Sequence, residues 1–363
     1  MKGDFNMART STINTTANRA RFSIAAGCSK GFSLVKRYLR LCRERGLKIM
    51  LFSAVQRVAV LWLACLVRIS LLKTRKGYVI KEILGSKMYL DYADKGVSRQ
   101  LIIDGTRETL SIEIVRRELK KGDIVVEVGA NIGYYALFES QLIGEKGRIY
   151  AIEPVSSNLE LLRKNIELNG YSNIDLYPFA IGESNGIHSM YLTTWRNKPS
   201  LRDITGTRKE KHFTEEIKVE VRAFDDFIKD KSYPNFVRMD VEGYEYHIIR
   251  GMKDTLQRKL PLTLLIEFHF HLMTRQESTE ILDTLRSAGF RIVDVVSEAP
   301  PFGIHRHKLL SKIIYSTESV IVKKLSNRKP LARHLDMSFD DILSDPVILD
   351  GKLGALHICF KRD

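Results

Sequence analysis

The chain has 363 residues, 44% of them hydrophobic, and 58 Lys and Arg against 43 Asp and Glu give a net charge of +15. That length and apolar content exclude disorder over the whole chain and are ample for a packed core. Four cysteines (Cys28, Cys42, Cys65 and Cys359) lie far apart with no CxxC pair, which excludes a disulfide scaffold and reads as the reduced thiols of a cytosolic chain.

The charge is unevenly spread. Residues 1–76 hold sixteen basic residues and two acidic ones, a net of +14, and leave only +1 for the remaining body. A nucleic-acid-binding body would carry its own basic face, and this one has no excess. Residues 1–30 are rich in Ser, Thr, Asn and Arg and read as a disordered tail, with a transit peptide as the lesser alternative. A basic block over 36–48 then leads into an apolar stretch over 49–72, interrupted by Arg57 and Arg68. These two arginines are eleven positions apart, on nearly the same helical face, so the stretch reads as an amphipathic helix. Docking on the body is the first expectation for it. Peripheral association of 36–76 with an anionic membrane is the second, and a true span the third. The expected location is cytoplasmic or membrane-associated.

Downstream of the extension, 77–121 forms a small element ahead of the main domain, with a β piece over 88–108 and a helix over 108–120. The pattern then becomes regular from 122 to 363. A buried strand over 123–128 is followed by a helix over 132–142 and a strand over 148–152. Ser157 and Glu160 are spaced as a capping box opening a helix through 168, and a strand follows over 174–181. Two β-like pieces, 186–194 and 216–221, interrupt the alternation. It resumes with a strand at 236–240, a helix at 244–257, a strand at 262–268, a helix at 276–288 and a strand at 290–296. A last strand over 354–361 is separated from it by more than fifty residues. Strands alternating with helices imply an α/β fold with a parallel sheet covered on both faces. The stretches 183–215 and 299–353 read as insertions.

Ligands in such folds bind at the carboxyl ends of the strands. The first strand ends in Glu127-Val-Gly129-Ala-Asn131-Ile-Gly133, an E-x-G-x-N-x-G spacing that differs from the G-x-G-x-x-G of dinucleotide enzymes. A carboxylate there would repel a pyrophosphate and suit a cationic or amine-bearing ligand, which points to S-adenosylmethionine. Glu153, 26 residues later, ends the second strand and suits ribose hydroxyls. Ala180 ends the third, beside the place for an adenine ring. The fourth end reads Arg238-Met-Asp240-Val-Glu242-Gly243-Tyr-Glu245, and His269 follows the fifth.

The stretches VVEVGANIGYYALFE, IYAIEP followed by LLRKNIELNG, FAIG, FDDFI and RMDVEGYE resemble, in order, the FkbM family of S-adenosylmethionine-dependent methyltransferases over roughly 88–297. The resemblance implies a Rossmann-like class I methyltransferase fold with a mostly parallel seven-stranded sheet. It implies S-adenosyl-L-methionine as cofactor, held by Glu127, Gly129, Asn131 and Gly133 at the methionine end, Glu153 at the ribose and Ala180 at the adenine. Asp240 and Glu242 would lie beside the transferring methyl, and the acceptor would be a hydroxyl of a sugar, glycan or glycolipid-like molecule. Arg238 departs from the family's usual lysine. Removing a hydroxyl proton needs a base within hydrogen-bond reach. Asp240 is the first candidate, Glu242 the second and His269 the third. His269-Phe-His271 and His305-Arg-His307 lack a dense acidic surround, so no metal is expected. An RNA methyltransferase and an NAD-dependent oxidoreductase remain the alternative functions. The insertion 299–353 and the loop 183–215 are expected to shape the acceptor pocket, and Trp195, Arg196, Arg202 and His212 read equally as sugar contacts or as surface loop residues.

Overall fold

The computed structural model describes residues 77–193, 199–202, 213–297, 333–335 and 337–363. The basic extension with its helix at 49–72, Trp195, Arg196, His212, His305 and His307 lie outside the described residues. Among the described residues no helix is long and apolar enough to cross a membrane.

The body opens with an antiparallel hairpin, β1 (Tyr78–Ile83) and β2 (Ser86–Asp91), followed by helices α1 (Val97–Asp104) and α2 (Thr109–Glu118). This replaces the β piece expected over 88–108: the turn at Leu84 and Gly85 pairs 78–83 with 86–91, and the polar 92–96 breaks the run before a helix. Then come β3 (Ile124–Val128), α3 (Tyr134–Ile143), β4 (Arg148–Ile152), α4 (Ser156–Asn169) and β5 (Ile174–Tyr177). The capping box expected at Ser157 does not form. Helix α4 starts one residue earlier behind Val155, with no side-chain cap, and Glu160 pairs with Lys164 one turn on instead.

The run expected as one strand over 174–181 is two. After β5 the chain leaves the central sheet, and β6 (Ala180–Gly182) joins β7 (Gly186–Thr193) and β8 (Phe213–Ala223) in a separate three-stranded sheet. Helix α5 (Phe224–Ile228), β9 (Phe236–Met239) and helices α6 (Glu245–Arg250) and α7 (Lys253–Gln257) follow, the last two in place of the single helix expected over 244–257. Gly251, at the end of α6, lies so close to the Gly182 carbonyl that a Cβ there would come within 2.1 Å of it. The break lets α6 and the three-stranded sheet approach. Strand β10 (Leu262–Phe268), α8 (Arg275–Ser287), β11 (Arg291–Ser297), β12 (Arg333–Leu335), α9 (Phe339–Ser344), α10 (Pro346–Leu349) and β13 (Leu356–Arg362) complete the body.

The main sheet runs β12-β11-β13-β10-β9-β3-β4-β5. Strands β5, β4, β3, β9 and β10 are parallel, whereas β13 is antiparallel to both β10 and β11. The seven expected strands are therefore present, with β12 as a short eighth at the edge. Both faces are buried because the apolar runs supply core to each in turn. Val126, Val237 and Leu264 face one cluster with Ile248 and Leu282, while Val125, Phe236 and Leu265 face another with Ile114, Leu137 and Leu162. Strand order reverses at β3, where β4 lies on one side and β9 on the other, and this opens a crevice at their carboxyl ends.

Candidate active site

The crevice is a cleft lined from the ends of β3, β4, β6 and β9, where an α/β sheet of this kind takes its ligand. Its cofactor half is built from the β3 and β4 ends. Gly129, at φ +86°, packs so closely on the strand beside it that a Cβ would fall 2.1 Å from the Asp240 carbonyl oxygen. Any larger residue would force β3 and β9 apart. Asn131 also sits in the left-handed region, at φ +51°, and its backbone N–H donates to Glu153 Oε2 at 2.8 Å. The Val155 N–H donates to Glu153 Oε1 at 2.9 Å. These two amides fix the carboxylate while leaving acceptor capacity for hydroxyls. Burial still dominates and pushes the Glu153 carboxyl up to about 7.

Glu127, on the last turn of β3, is 1% exposed and lines the cleft. Its Oε1 accepts from Arg238 Nη1 at 2.7 Å, across the register pair that joins β3 to β9. Burial, opposed by Arg238, raises this carboxyl to about 7. The buried Glu139 carboxyl lies against it, and burial together with the Glu127 charge holds Glu139 well above the usual carboxyl range, so that it can donate a proton to Glu127. A buried carboxylate in the cleft lining, next to a glycine that nothing larger can replace, fits the ammonium end of S-adenosylmethionine. Ala180 and Ile181, on β6, supply an apolar wall to the same cleft. Gly133 is placed otherwise: it is absent from the cleft lining, and a Cβ there would meet Leu162 Cδ1 at 2.6 Å, so it serves the packing of α3 on α4.

The other half is a lattice of charges. Asp240 follows β9, is 23% exposed at its side chain, and faces Arg238 Nη2 at 3.5 Å. Burial and the Glu267 charge push its carboxyl up to about 7. Glu242 lines the cleft from a left-handed backbone at φ +51°. Residues 199–202 hold that turn: Ser200 Oγ donates to the Glu242 carbonyl at 3.2 Å and Arg202 Nε to the Gly243 carbonyl at 2.5 Å. Arg202, expected at the acceptor, also pairs with Glu277 at 2.5 Å. The Arg238 guanidinium lies 3.5 Å over the Tyr135 ring and is 2% exposed.

His269 is 1% exposed and lies behind this wall rather than on it. Its Nδ1 is 2.8 Å from Glu245 Oε1, and its Nε2 lies 3.5 Å from Glu267 and 3.7 Å from Glu242. Burial alone would lower its pKa, but Glu242, Glu245 and Glu267 hold it up at about 10. At neutral pH it is a caged imidazolium that orders Glu242. That leaves Asp240 better matched to accept a proton. Ligand atoms of Asp240, Glu242 and His269 lie within 4.8 Å of one another, as do those of Glu108, Glu267 and His357. In the first set the protonated His269 supplies the positive charge. In the second, Arg107 and Arg238 flank Glu108.

The sequence reading missed Arg107, Glu108, Glu245 and the tyrosine pair. Tyr134 and Tyr135 follow the cofactor glycines, and each reaches back to the segment ahead of α2. Their position was the available signal. Residues 337–353 do not line the cleft, whereas Met190, Pro199 and Leu201 of the 183–215 stretch do.

The sequence was compared with known proteins. Residues 127–292 match the methyltransferase FkbM domain, and residues 67–184 match the protein-L-isoaspartate(D-aspartate) O-methyltransferase model. A protein-L-isoaspartate O-methyltransferase of Ignicoccus hospitalis is 39% identical over 57 residues, covering 16% of this chain and 27% of that protein. The hexuronic acid methyltransferase AglP of Haloferax volcanii is 27% identical over 149 residues, covering 40% of this chain and 56% of that protein. The chain thus spans between about a quarter and three-fifths of these curated relatives. Among solved structures, M. jannaschii TYW2 in complex with AdoMet aligns with a TM-score of 0.36 at 15% identity, covering 79% of this chain and 88% of that one.

Proposed function

Because this chain belongs to the FkbM family of S-adenosylmethionine-dependent methyltransferases, we propose that it transfers the cofactor's methyl group to a hydroxyl of a sugar, glycan or glycolipid-like acceptor. When bound, the cofactor supplies an electrophilic methyl on a sulfonium. The observation that carries the reading is the placement of Glu127 and Asp240, two carboxyls of the cleft lining, on the two terminal nitrogens of one Arg238 guanidinium, with the Asp240 carboxyl near 7.

The chain's own residues then divide the work. Glu127 binds the ammonium, Glu153 accepts from the ribose hydroxyls, and Ala180 and Ile181 border the adenine. Asp240 Oδ2 takes the acceptor hydroxyl's proton as the oxygen attacks, and its elevated pKa suits that transfer near neutral pH. Arg238 keeps the Asp240 carboxylate oriented. Alignment of hydroxyl and methyl supplies most of the remaining rate, because the departing sulfur loses charge and needs no oxyanion stabilisation. The match to a hexuronic acid methyltransferase supports a saccharide acceptor, whereas the acidic lining of this cleft favours an uncharged one.

The test is transfer of labelled methyl from S-adenosylmethionine into separated glycan, lipid and RNA fractions. Label in the glycan or glycolipid fraction is expected. Label confined to RNA would overturn the acceptor assignment.

A further inference from the structure

The cleft lining also holds a charged pair upstream of the residues that match the FkbM domain. Arg107 and Glu108 both line the cleft, with side chains 14% and 9% exposed. Their placement is built in. The Tyr134 hydroxyl accepts from the Arg107 N–H at 3.1 Å and donates to the Arg107 carbonyl at 2.6 Å. The Tyr135 hydroxyl donates to Glu108 Oε2 at 2.8 Å. Glu108 is itself in the left-handed region at φ +48°. A non-glycine residue stays there only where the surrounding contacts over-determine it. Of the five such residues described, Glu108, Asn131 and Glu242 all line this one cleft.

We propose that Arg107 and Glu108 form the acceptor subsite, that it takes a neutral vicinal diol of the kind a hexose ring presents, and that it disfavours anionic acceptors. This rests on the methyl-transfer reading above. Arg107 gives Nε and Nη2 to Glu108 Oε1, which leaves its Nη1 donors for one hydroxyl. Glu108 Oε2 can accept from the neighbouring hydroxyl alongside Tyr135. Arg238 Nη2 lies 3.6 Å from that oxygen and 3.5 Å from Asp240 Oδ2, so the subsite and the proton acceptor flank the same nitrogen.

Charge decides between a neutral sugar and an acidic one. Among the described residues, Glu108, Glu127, Glu153, Asp240 and Glu242 line the cleft against Arg107 and Arg238. When ionised, they leave three negative charges in excess, and bound S-adenosylmethionine brings one net positive charge. Arg107 is already neutralised by Glu108. An acceptor carboxylate would therefore enter a negative field in a partly desolvated site, where like charges cost most.

The experiment uses the full chain saturated with S-adenosylhomocysteine at pH 8. It is titrated with methyl β-D-glucopyranoside and with methyl β-D-glucopyranosiduronate, which differ only in a hydroxymethyl group against a carboxylate, and binding is read by saturation-transfer NMR. The neutral glycoside is expected to bind at least tenfold tighter. Glu108→Gln, which removes one negative charge, is expected to bring that ratio down severalfold while S-adenosylhomocysteine affinity stays within threefold. Arg107→Lys serves as a second variant, expected to weaken the neutral glycoside, should the first fail to fold. Equal or tighter uronate binding, no binding of either sugar, or variants that leave both sugars unchanged would overturn the subsite. Failure of S-adenosylhomocysteine itself to bind would instead sink the methyl-transfer reading, and this inference with it.

Discussion

The two halves of the cleft solve different problems by different means. The β3 and β4 ends work through backbone: Gly129 can be nothing else, and Asn131 and Val155 amides fix Glu153 within a short stretch of chain. The opposite wall is assembled from side chains more than a hundred residues apart, with Glu108, Arg238, Glu242 and His269 held by mutual charge. Backbone sites tolerate little but are local. Charge lattices draw on distant segments, and this one meets the other half at Arg238, which pairs with both Glu127 and Asp240.

Removing the shared cation tests that division most severely. Arg238→Met leaves Glu127 and Asp240 without their guanidinium. It is expected to cost about 3–5 kcal/mol in urea unfolding, because a buried charge loses its partner. Arg238→Lys should recover part of that loss. An unfolding midpoint unchanged in Arg238→Met would mean the lattice does not bear on stability. Gly129→Ala drives a Cβ into the Asp240 carbonyl from φ +86°. Calorimetry should then show S-adenosylhomocysteine affinity reduced about 100-fold. An affinity within threefold of wild type would remove Gly129 from the cofactor site.

Glu153→Gln exchanges charge-assisted bonds for neutral ones, and about a tenfold loss of S-adenosylhomocysteine affinity is expected. The smallest effect is on the ligand-free protein. Burial lifts Glu127 and Glu153 to about 7 in the folded state, against an ordinary carboxyl value of 4.5. Between those values the folded chain binds more protons than the unfolded one, so these groups' stabilisation is present at low pH and lost as pH rises through 7. Thermal unfolding of the free protein should accordingly fall by a few degrees from pH 5.5 to pH 8. A rise over that interval would contradict the buried placement of the two carboxyls.

The sequence shows the cofactor half well because its signals are contiguous. The E-x-G-x-N-x-G spacing and the acid after β4 put Glu127, Gly129, Asn131 and Glu153 in the cleft lining, although Gly133 packs α3 instead. The alternation of strands and helices yields the sheet, while the departure of Ala180–Gly182 into a second sheet leaves no mark on the local pattern. Glu108 could not be read, because its importance comes from a left-handed backbone and from Tyr135 and Arg238, none of them adjacent in sequence. Likewise His269 reads as a base from its motif. Only the three surrounding carboxylates show that it already holds a proton.

The central claim is that Asp240 accepts the proton during methyl transfer at this cleft. Its most direct test is the single-turnover rate from bound S-adenosylmethionine to a glycan acceptor, measured from pH 5.5 to pH 9. The wild-type rate should rise about tenfold per unit at low pH and level off above about 7, the pKa of the Asp240 carboxyl. Asp240→Asn should lower the plateau by about 100-fold or more and abolish the inflection, with S-adenosylhomocysteine affinity within threefold of wild type. A variant that keeps both the wild-type plateau and its inflection would contradict the account.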